Sequence, residues 1–320
     1  MVRLCDISDF LKRVDKQTQF EGIMRYNEPL SHHTTFKVGG PADVWIRPSV
    51  DVFEDYVANL LTSAYAEEVP VFILGGGANI VPQDVGFRGL VLDTSGYAGL
   101  LADEYGSASF AAGSSIDTAM AVAEVRGWGG LEFLAGMPGS IGGAVYTNAR
   151  CYETSVSDRL IEAVALELGC GVFQRKTVPF RETDFGYKKS PFQDEKSASG
   201  RQTLILSAKF FVYQRESALI HEEMDAHRKD RETKGHYRFP SAGSVFKNNR
   251  AFGKPVGKII DELGLRGLSY GGAMVAPFHG NIIVNTGNAT ATDIRFLTDE
   301  VREIVREKTG FVLEPEIIFL

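Results

Sequence analysis

The sequence contains few cysteines and no cysteine motif. Cys5, Cys151 and Cys170 are the three cysteines among 320 residues, and no two of them form a CxxC pair. Such an odd, widely spread set fits a reducing compartment and offers no spacing for a zinc or iron–sulfur site. The six histidines include no HExxH motif and no paired spacing. We therefore expect no metal site.

Long hydrophobic runs and an excess of basic charge are also missing. No apolar stretch is long enough to cross a membrane. Charged residues interrupt every apolar run at the N-terminus, which argues against a signal peptide. A cytoplasmic location without a membrane partner is the expectation. The formal net charge of −7 argues against a nucleic-acid-coating surface, although a local basic pocket for a small anion remains compatible with it.

The first two thirds of the chain predict a mixed α/β domain. Hydrophobic residues make up 44% and charged residues 23%, as in soluble globular proteins, and the length suits one large domain or two ordinary ones. An amphipathic helix is predicted over about residues 3–15. Strand-like segments at 42–48 and 69–75 flank a helical stretch and indicate a β-α-β unit. Further strands are predicted at 89–93, 107–113, 161–168 and 203–213, with a helix at about 115–124.

A charged stretch, residues 214–238, is predicted to be a solvated helix between domains. A helix near 255–263, a strand at 280–285 and a helix at about 293–307 follow it. For the last helix we predict Thr292 as the N-cap and Gly310 as the stop. The segment 311–320 is predicted to be a strand with an internal proline at an edge or bulge, which leaves Glu316 beside an opening.

Two glycine-rich loops have the chemistry to hold phosphate. "GGGAN" (75–79) directly follows a predicted strand, and "GMPGSIGG" (136–143) precedes an apolar stretch. Glycines allow successive backbone N–H groups to point into one concavity that binds an anion. The first loop lacks the GxGxxG fingerprint because Ile80 stands where the last glycine belongs, and there is no GxxxxGK[ST] motif. Each loop alone also fits a tight turn packed against neighbouring chain. Together, the two loops favour one dinucleotide shared between them.

Eight segments give the sequence a strong resemblance to a known family. In chain order they are "HTTFKVGGPADVW", "LGGGANIV", "GFRGLVLD", "FLAGMPGSIGGAVYTNA", "FGYKKSPF", "PSAGSVFKN", "HGNIIVNTGNATATDI" and "LEPEI". The chain is similar over nearly its whole length to the UDP-N-acetylenolpyruvoylglucosamine reductase (MurB) family, in the subgroup with a short stretch after "VFKNN". This resemblance implies an α+β fold with two domains. Residues 1–214 would form an FAD-binding domain of the vanillyl-alcohol-oxidase (PCMH-like) type, and residues 215–320 a smaller α+β substrate-binding domain.

The family's two glycine loops embrace the pyrophosphate of a non-covalently bound FAD. The residues that match this function are Gly75, Gly76, Gly77, Ala78, Asn79, Gly113, Gly136, Pro138, Gly139, Ser140, Ile141, Gly142 and Gly143.

The resemblance implies reduction of an enol ether that carries a carboxylate. NADPH reduces FAD, a hydride passes to C3 of the enolpyruvyl group, and a proton reaches C2. Ser244 matches the proton donor, and Lys247 or a neighbouring cation would have to favour its transient alkoxide. Glu316 matches the active-site glutamate, with Glu314 on the same strand face as support.

Lys188 stands where the family usually has arginine, so it offers a point charge in place of a bidentate grip on the carboxylate. The neighbouring Lys189 is one residue out of register. From local sequence alone, Ser244 also fits a turn cap, and the carboxylates and lysines also fit a solvated surface.

Tyr187, Lys247, Asn248 and His279 match substrate positions, with His279 at the nucleobase end. His279 is equally compatible with an ordinary packed histidine. We expect UDP-N-acetylglucosamine-enolpyruvate and NADPH as partners, no nucleic acid, and a monomer. Two other functions remain open. An oxidase on the same FAD fold would explain the glycine loops but not "GSVFKN" together with "LEPEI". A non-catalytic nucleotide-binding module would have no use for Ser244 or Glu316.

Overall fold

The computed structural model describes residues 4–193 and 203–320, with the side chains of residues 4–6 excepted. The chain divides into two compact units, each built from several stretches of sequence. Unit 1 contains residues up to 27 together with 43–76 and 88–228, and unit 2 contains 28–42, 77–87 and 229–320. The predicted domain boundary lies after residue 214, whereas the last change between units falls after Arg228. The division at 214/215 therefore remains a prediction about function.

Within the described ranges the helices alternate with short strands. The helices are α1 Leu4–Gln17, α2 Phe53–Ala66, α3 Ile116–Arg126, α4 Ile141–Tyr146, α5 Ser217–Thr233, α6 Val256–Glu262 and α7 Ala291–Thr309. The strands are β1 Gly22–Pro29, β2 Pro41–Pro48, β3 Val71–Leu74, β4 Ile80–Val81, β5 Phe87–Asp93, β6 Leu100–Glu104, β7 Ser107–Ala111, β8 Trp128–Gly129, β9 Arg150–Cys151, β10 Thr154–Ser155, β11 Leu160–Gly169, β12 Val172–Pro179, β13 Leu204–Phe211, β14 Tyr213–Gln214, β15 Ser269–Tyr270, β16 Ala273–Val275, β17 Ile283–Asn285 and β18 Ile318–Phe319.

The larger sheets lie mainly in unit 1. One sheet has the strand order β1-β2-β5-β3, and β3 runs parallel to β5. The predicted β-α-β unit is present, but β5 lies between its two strands. The other large sheet has the order β12-β11-β13-β7-β6, and its neighbouring strands are antiparallel. Strand β12 has no counterpart among the predicted elements.

Amphipathic helices close the unit 1 core. The apolar face of α1 buries Ile7, Phe10, Leu11 and Val14, which pack in one cluster with α2. Helix α3 starts where the Ser115 hydroxyl accepts the N–H of Thr118, and it ends at Gly127 with φ +67°. Helices α3 and α4 share a second cluster with the five-stranded sheet. Most of α5 is solvated as predicted, with Ile220 and Met224 buried.

Unit 2 contains a small antiparallel sheet, β15-β16-β17, and α7 packs on it. Strand β18 pairs in parallel with β4, so that Ile318 faces Ile80 and Phe319 faces Val81. One apolar cluster includes residues of α6, of α7, of the β15-β16-β17 sheet and of the β4–β18 pair. Unit 2 therefore has its own core.

Two predictions about unit 2 are wrong in detail. The N-cap of α7 is Thr290, which forms a capping box with Asp293; Thr292 lies within the first turn. Gly310 ends the helix as predicted, with φ +77°. The segment 311–320 is not one continuous strand, because only an isolated bridge at Pro315 and the short β18 are paired.

No helix in the described part of the chain is long and apolar enough to cross a membrane. Within the same residues there is no group of three or more histidine, cysteine, aspartate or glutamate side chains placed to hold a metal ion.

Candidate active site

The two glycine-rich loops touch each other in unit 1. A Cβ added to Gly76 would lie 2.6 Å from the Cα of Gly139 and 3.0 Å from the backbone nitrogen of Ser140. A Cβ added to Gly75 would lie 2.6 Å from the Ser140 hydroxyl oxygen. Carbon atoms pack best at about 3.5–4.0 Å, so only glycine permits this approach. The close neighbour of Gly75 and Gly76 is therefore the other loop.

Where the loops meet, backbone donors remain available. Gly139 has φ +130°, and its carbonyl accepts the N–H of Ile116. The Ser140 hydroxyl accepts the N–H of Gly143. Among the bonds of the described residues, none uses the N–H of Gly76, Gly139 or Ser140. Backbone N–H groups of glycine-rich loops that donate to no protein acceptor are the groups that can bind an anion.

Packing explains two of the other predicted cofactor glycines. A Cβ on Gly113 would lie 1.8 Å from the carbonyl oxygen of Thr94, and one on Gly142 would lie 2.8 Å from the Cβ of Ala112. These contacts require glycine whether or not a ligand is bound. Gly136, by contrast, has φ +72°, a left-handed conformation that glycine adopts without strain.

The first loop continues into unit 2. Gly77 has φ +60°, and a Cβ on it would lie 1.8 Å from the carbonyl oxygen of His33. The carbonyl of Gly77 accepts the N–H of Thr35. The end of this loop is thus fixed against residues 33–35, the start of the "HTTFKVGG" segment.

Glu316 is held at both of its backbone groups in unit 2. Its N–H donates to the carbonyl of Val245 at 2.7 Å, next to Ser244. Its carbonyl accepts Nδ2 of Asn79, the last residue of the first loop, at 3.0 Å. Ser244 itself forms an antiparallel bridge with Ile282. Unit 2 therefore joins the candidate proton donor's segment, the candidate glutamate and one end of the first glycine loop.

Pro315 occupies the one kind of ladder position that suits proline. It bridges Phe246, and the two hydrogen bonds beside this pair run from Lys247 N–H to the Glu314 carbonyl and from Glu316 N–H to Val245. Pro315 is therefore at a non-hydrogen-bonded position, where its missing N–H costs nothing. The proline is compatible with pairing on this edge even though the wider strand was predicted wrongly.

The Lys247 ammonium contacts Glu314, with Nζ 2.6 Å from Oε1. The side chains are 30% and 69% exposed, and such exposed pairs contribute at most about 1 kcal/mol. Lys247 is thus paired with the predicted supporting glutamate through a contact that is easily exchanged. Ser244 and Glu316 are both half-buried.

Tyr187 and Lys188 form the tip of a tight turn in unit 1. Gly186 and Lys189 exchange backbone hydrogen bonds in both directions, each at 3.1 Å. Lys188 has φ +55°, a region that costs a side chain other than glycine or asparagine about 1–2 kcal/mol. Tyr187 is exposed and Lys188 half-buried. Lys188 lies in unit 1, whereas Ser244 and Glu316 lie in unit 2.

Two predicted substrate residues also have local structural contacts in unit 2. The Asn248 Oδ1 accepts the N–H of Val256 at the start of α6. Burial lowers the pKa of His279, and its Nδ1 accepts the N–H of Asn281 at 3.1 Å. The His279 ring centroid lies 6.2 Å from that of His236. The substrate roles of Asn248 and His279 remain predictions.

Asn281 is a residue that the sequence analysis did not single out. Its carboxamide binds both backbone groups of Phe246: Oδ1 accepts the N–H at 2.9 Å, and Nδ2 donates to the carbonyl at 2.8 Å. Asn281 is 3% exposed. A buried amide inside the apolar segment "NIIVN" must find partners, and that pattern is the signal that would have identified it.

Comparison with known proteins defines the class first. Residues 53–167 match a model described as an FAD binding domain. Residues 235–320 match the model of the UDP-N-acetylenolpyruvoylglucosamine reductase C-terminal domain. These matches confirm the expected α+β fold with an FAD-binding domain and a smaller C-terminal domain.

Similar proteins cover nearly the whole chain. A UDP-N-acetylenolpyruvoylglucosamine reductase of Treponema denticola is 38% identical over 93% of this chain and 94% of its own length. The enzyme of that name from Borreliella burgdorferi is 34% identical over 98% of each chain. The crystal structure of the Thermus caldophilus enzyme superposes with a TM-score of 0.71 at 29% identity, covering 94% of this chain and 99% of that one. The chain belongs to the UDP-N-acetylenolpyruvoylglucosamine reductase family.

Proposed function

We propose that this protein uses NADPH to reduce UDP-N-acetylglucosamine-enolpyruvate to UDP-N-acetylmuramate, a peptidoglycan precursor. The observation that carries the proposal is the pairing around Glu316. One residue is hydrogen-bonded both to Asn79 of the first glycine loop and to Val245 beside Ser244. In the proposed reaction these parts are the end of a cofactor-binding loop, the active-site glutamate and the segment of the proton donor.

The two loops fit the pyrophosphate of FAD. The contact between Gly76 and Gly139 brings both loops together in unit 1, and the N–H groups of Gly76, Gly139 and Ser140 remain available there. We assign these residues, with the other residues of 75–79 and 136–143, to FAD binding. Gly113 supports the site through packing. When bound, FAD supplies hydride transfer from NADPH to C3 of the enolpyruvyl group.

The protein's own residues carry the charge and the proton. Lys188 binds the substrate carboxylate and neutralises the negative charge that develops on it as an enolate. Ser244 donates its hydroxyl proton to C2, and Glu316 lies beside it on the paired segment. The product gains one hydride at C3 and one proton at C2, so the double bond is saturated.

Lys247, Tyr187, Asn248 and His279 are assigned to the sugar-nucleotide. Because the exposed pair between Lys247 and Glu314 contributes little, an incoming diphosphate replaces Glu314 as the partner of Lys247 at small cost. The neutral His279 is suited to hydrogen bonding with an uncharged nucleobase edge.

An anaerobic experiment in two halves tests the function. NADPH should bleach the bound flavin, and UDP-N-acetylglucosamine-enolpyruvate should then restore its colour rapidly. Restoration only by oxygen would identify an oxidase instead. A protein that stays colourless and cannot be reconstituted with FAD would refute both flavoenzyme functions.

Ser244→Ala separates the proton donor from the rest of the site. We expect flavin reduction by NADPH to stay within about twofold, and reoxidation by substrate to slow by about 10²–10⁴-fold, the usual contribution of a positioned acid. Ser241→Ala, three residues earlier in the same segment, is the matched control. Equal losses in both halves would remove Ser244 from this role.

A further inference from the structure

The turn that presents Lys188 is tied at both of its ends to the C-terminal end of α4. On one side, Nδ2 of Asn148 donates to the carbonyl of Gly186 at 2.8 Å. On the other side, the Ser190 hydroxyl donates to the carbonyl of Tyr146 at 2.6 Å. Lys188 lies between these two attachments.

The side chains that form the two attachments, Asn148 and Ser190, are both buried. Asn148 is 2% exposed, and its Oδ1 accepts the N–H of Ser157 at 3.0 Å, so both ends of the carboxamide are used. Ser190 is 1% exposed. Its hydroxyl satisfies Tyr146, the last residue of α4, whose carbonyl has no partner within the helix. A buried side chain that loses such a partner leaves a polar group desolvated, and that loss is costly.

The attachments explain how Lys188 keeps an unfavourable backbone. Its φ of +55° normally suits glycine or asparagine, and such a conformation persists only where the surroundings impose it. Asn148 itself has φ +42°, which asparagine tolerates. Helix α4 begins in the second glycine loop and ends at these two bonds, so one short element connects that loop to the turn.

We propose that Asn148 and Ser190 are positioning residues that hold Lys188 for the substrate carboxylate. This inference rests on the proposed function. A lysine ammonium has a flexible stem and no fixed fork, so its placement depends on a rigid backbone more than that of an arginine does. Asn148 and Ser190 provide that rigidity without touching the substrate.

Asn148→Asp is the sharpest variant. It keeps the size and the acceptor for Ser157 but loses the donor to Gly186, and aspartate tolerates a positive φ. Thr147→Ala is the matched control, because the Thr147 hydroxyl bonds Gly143 at the same helix end and makes no bond to the turn. Ser190→Ala cuts the other attachment independently.

Ligand affinity gives a readout that requires no turnover. Calorimetry of the FAD-loaded, oxidised protein should show Asn148→Asp and Ser190→Ala binding UDP-N-acetylglucosamine-enolpyruvate about 10-fold more weakly. Their affinity for UDP-N-acetylglucosamine, which has no carboxylate, should stay within twofold, as should both affinities of Thr147→Ala. Equal weakening for both ligands, or no weakening for either, would overturn the proposal.

A double-mutant cycle shows whether the effect passes through Lys188. In flavin reoxidation by substrate, Asn148→Asp should cost at least 10-fold alone and less than threefold in a Lys188→Ala background. Losses that multiply would refute positioning through Lys188. If Lys188→Ala alone changes neither affinity nor reoxidation, the assignment of Lys188 in the proposed function fails instead. Should Asn148→Asp not fold, Ser190→Ala is taken through the same cycle with the same criteria.

Discussion

The spacing of the two glycine loops can be tested with one methyl group. Gly76→Ala places a Cβ 2.6 Å from the Cα and 2.7 Å from the carbonyl carbon of Gly139. Both are backbone atoms, so no side chain can rotate away. To reach an ordinary contact the loops must separate by about 1 Å.

We expect this separation to cost about 1–3 kcal/mol, as overpacking of a close-fitting interior does. For a unit of this size the melting temperature falls by about 2–4 °C for each kcal/mol. In the proposed function the moved loop should also weaken FAD binding by about 10-fold or more, because the N–H groups of Gly76, Gly139 and Ser140 are displaced from one another.

Thermal unfolding of the apoprotein and an FAD titration followed by flavin fluorescence measure the two effects separately. Gly169→Ala is the matched control, because its Cβ would meet only Oε1 of Gln174, at 3.9 Å, and the backbone is ordinary. The control should keep both values. If Gly76→Ala melts within 1 °C of the parent and binds FAD within twofold, the contact between the two loops does not require a glycine at position 76, and the reasoning fails.

Three further predictions concern pH, packing and charge. Burial lowers the pKa of His236 to about 4. Between about pH 6.5 and pH 4 this imidazole is therefore protonated in the unfolded chain but not in the folded one. This contribution to stability is complete above pH 6.5 and declines toward pH 4, by about 1 kcal/mol for a partly exposed ring, and urea unfolding of His236→Gln should lose that part of the pH dependence. The buried Asn285 carboxamide donates to the Phe36 carbonyl and accepts the N–H groups of Gly287 and Ala289, so Asn285→Ala should lower the free energy of unfolding by about 2–3 kcal/mol. The exposed Asn288→Ala is the control and should lose less than about 0.5 kcal/mol. An equally small loss for Asn285→Ala would contradict the cost of leaving those groups unpaired. Lys188→Arg should keep or increase the rate of flavin reoxidation by substrate, since arginine grips a carboxylate through two bonds; a fall of more than 10-fold would show that the turn accepts only lysine.

The sequence predicted the presence of helices and strands better than it predicted the residues at which they begin and end, or which strands pair. Helices α1, α3, α6 and α7 lie close to their predicted ranges, because each has an apolar face or a clear cap. The start of α7 was misplaced, since Thr290 and Thr292 are equally good caps and only Asp293 at the third position separates them. Strand β12 was missed because its side chains are mostly exposed, which hides the alternation.

The candidate site was predicted in parts, as segments with a known order. Local chemistry did not show that Gly76 touches Gly139, or that Glu316 bonds to Asn79 and Val245. Those contacts depend on long-range pairing, for which sequence spacing carries no signal. Asn148 and Ser190 were overlooked for a related reason: a buried polar residue shows its importance only when its partners are known.

The hydrogen bond between Asn79 and Glu316 has a consequence for folding during translation, which proceeds from the N-terminus. These residues are separated by 237 positions, so at about 5–20 residues per second Glu316 is added to the chain roughly 12–50 s after Asn79. Throughout that interval Gly77 can already bond to Thr35, whereas Asn79 lacks Glu316 as its partner. Unit 2 as a whole needs residues 28–42 and 77–87 to wait for 229–320. All residues of unit 1, including both glycine loops up to Gly76 and Gly139, are therefore synthesised before unit 2 is complete, and the bond from Asn79 to Glu316 is among the last to form.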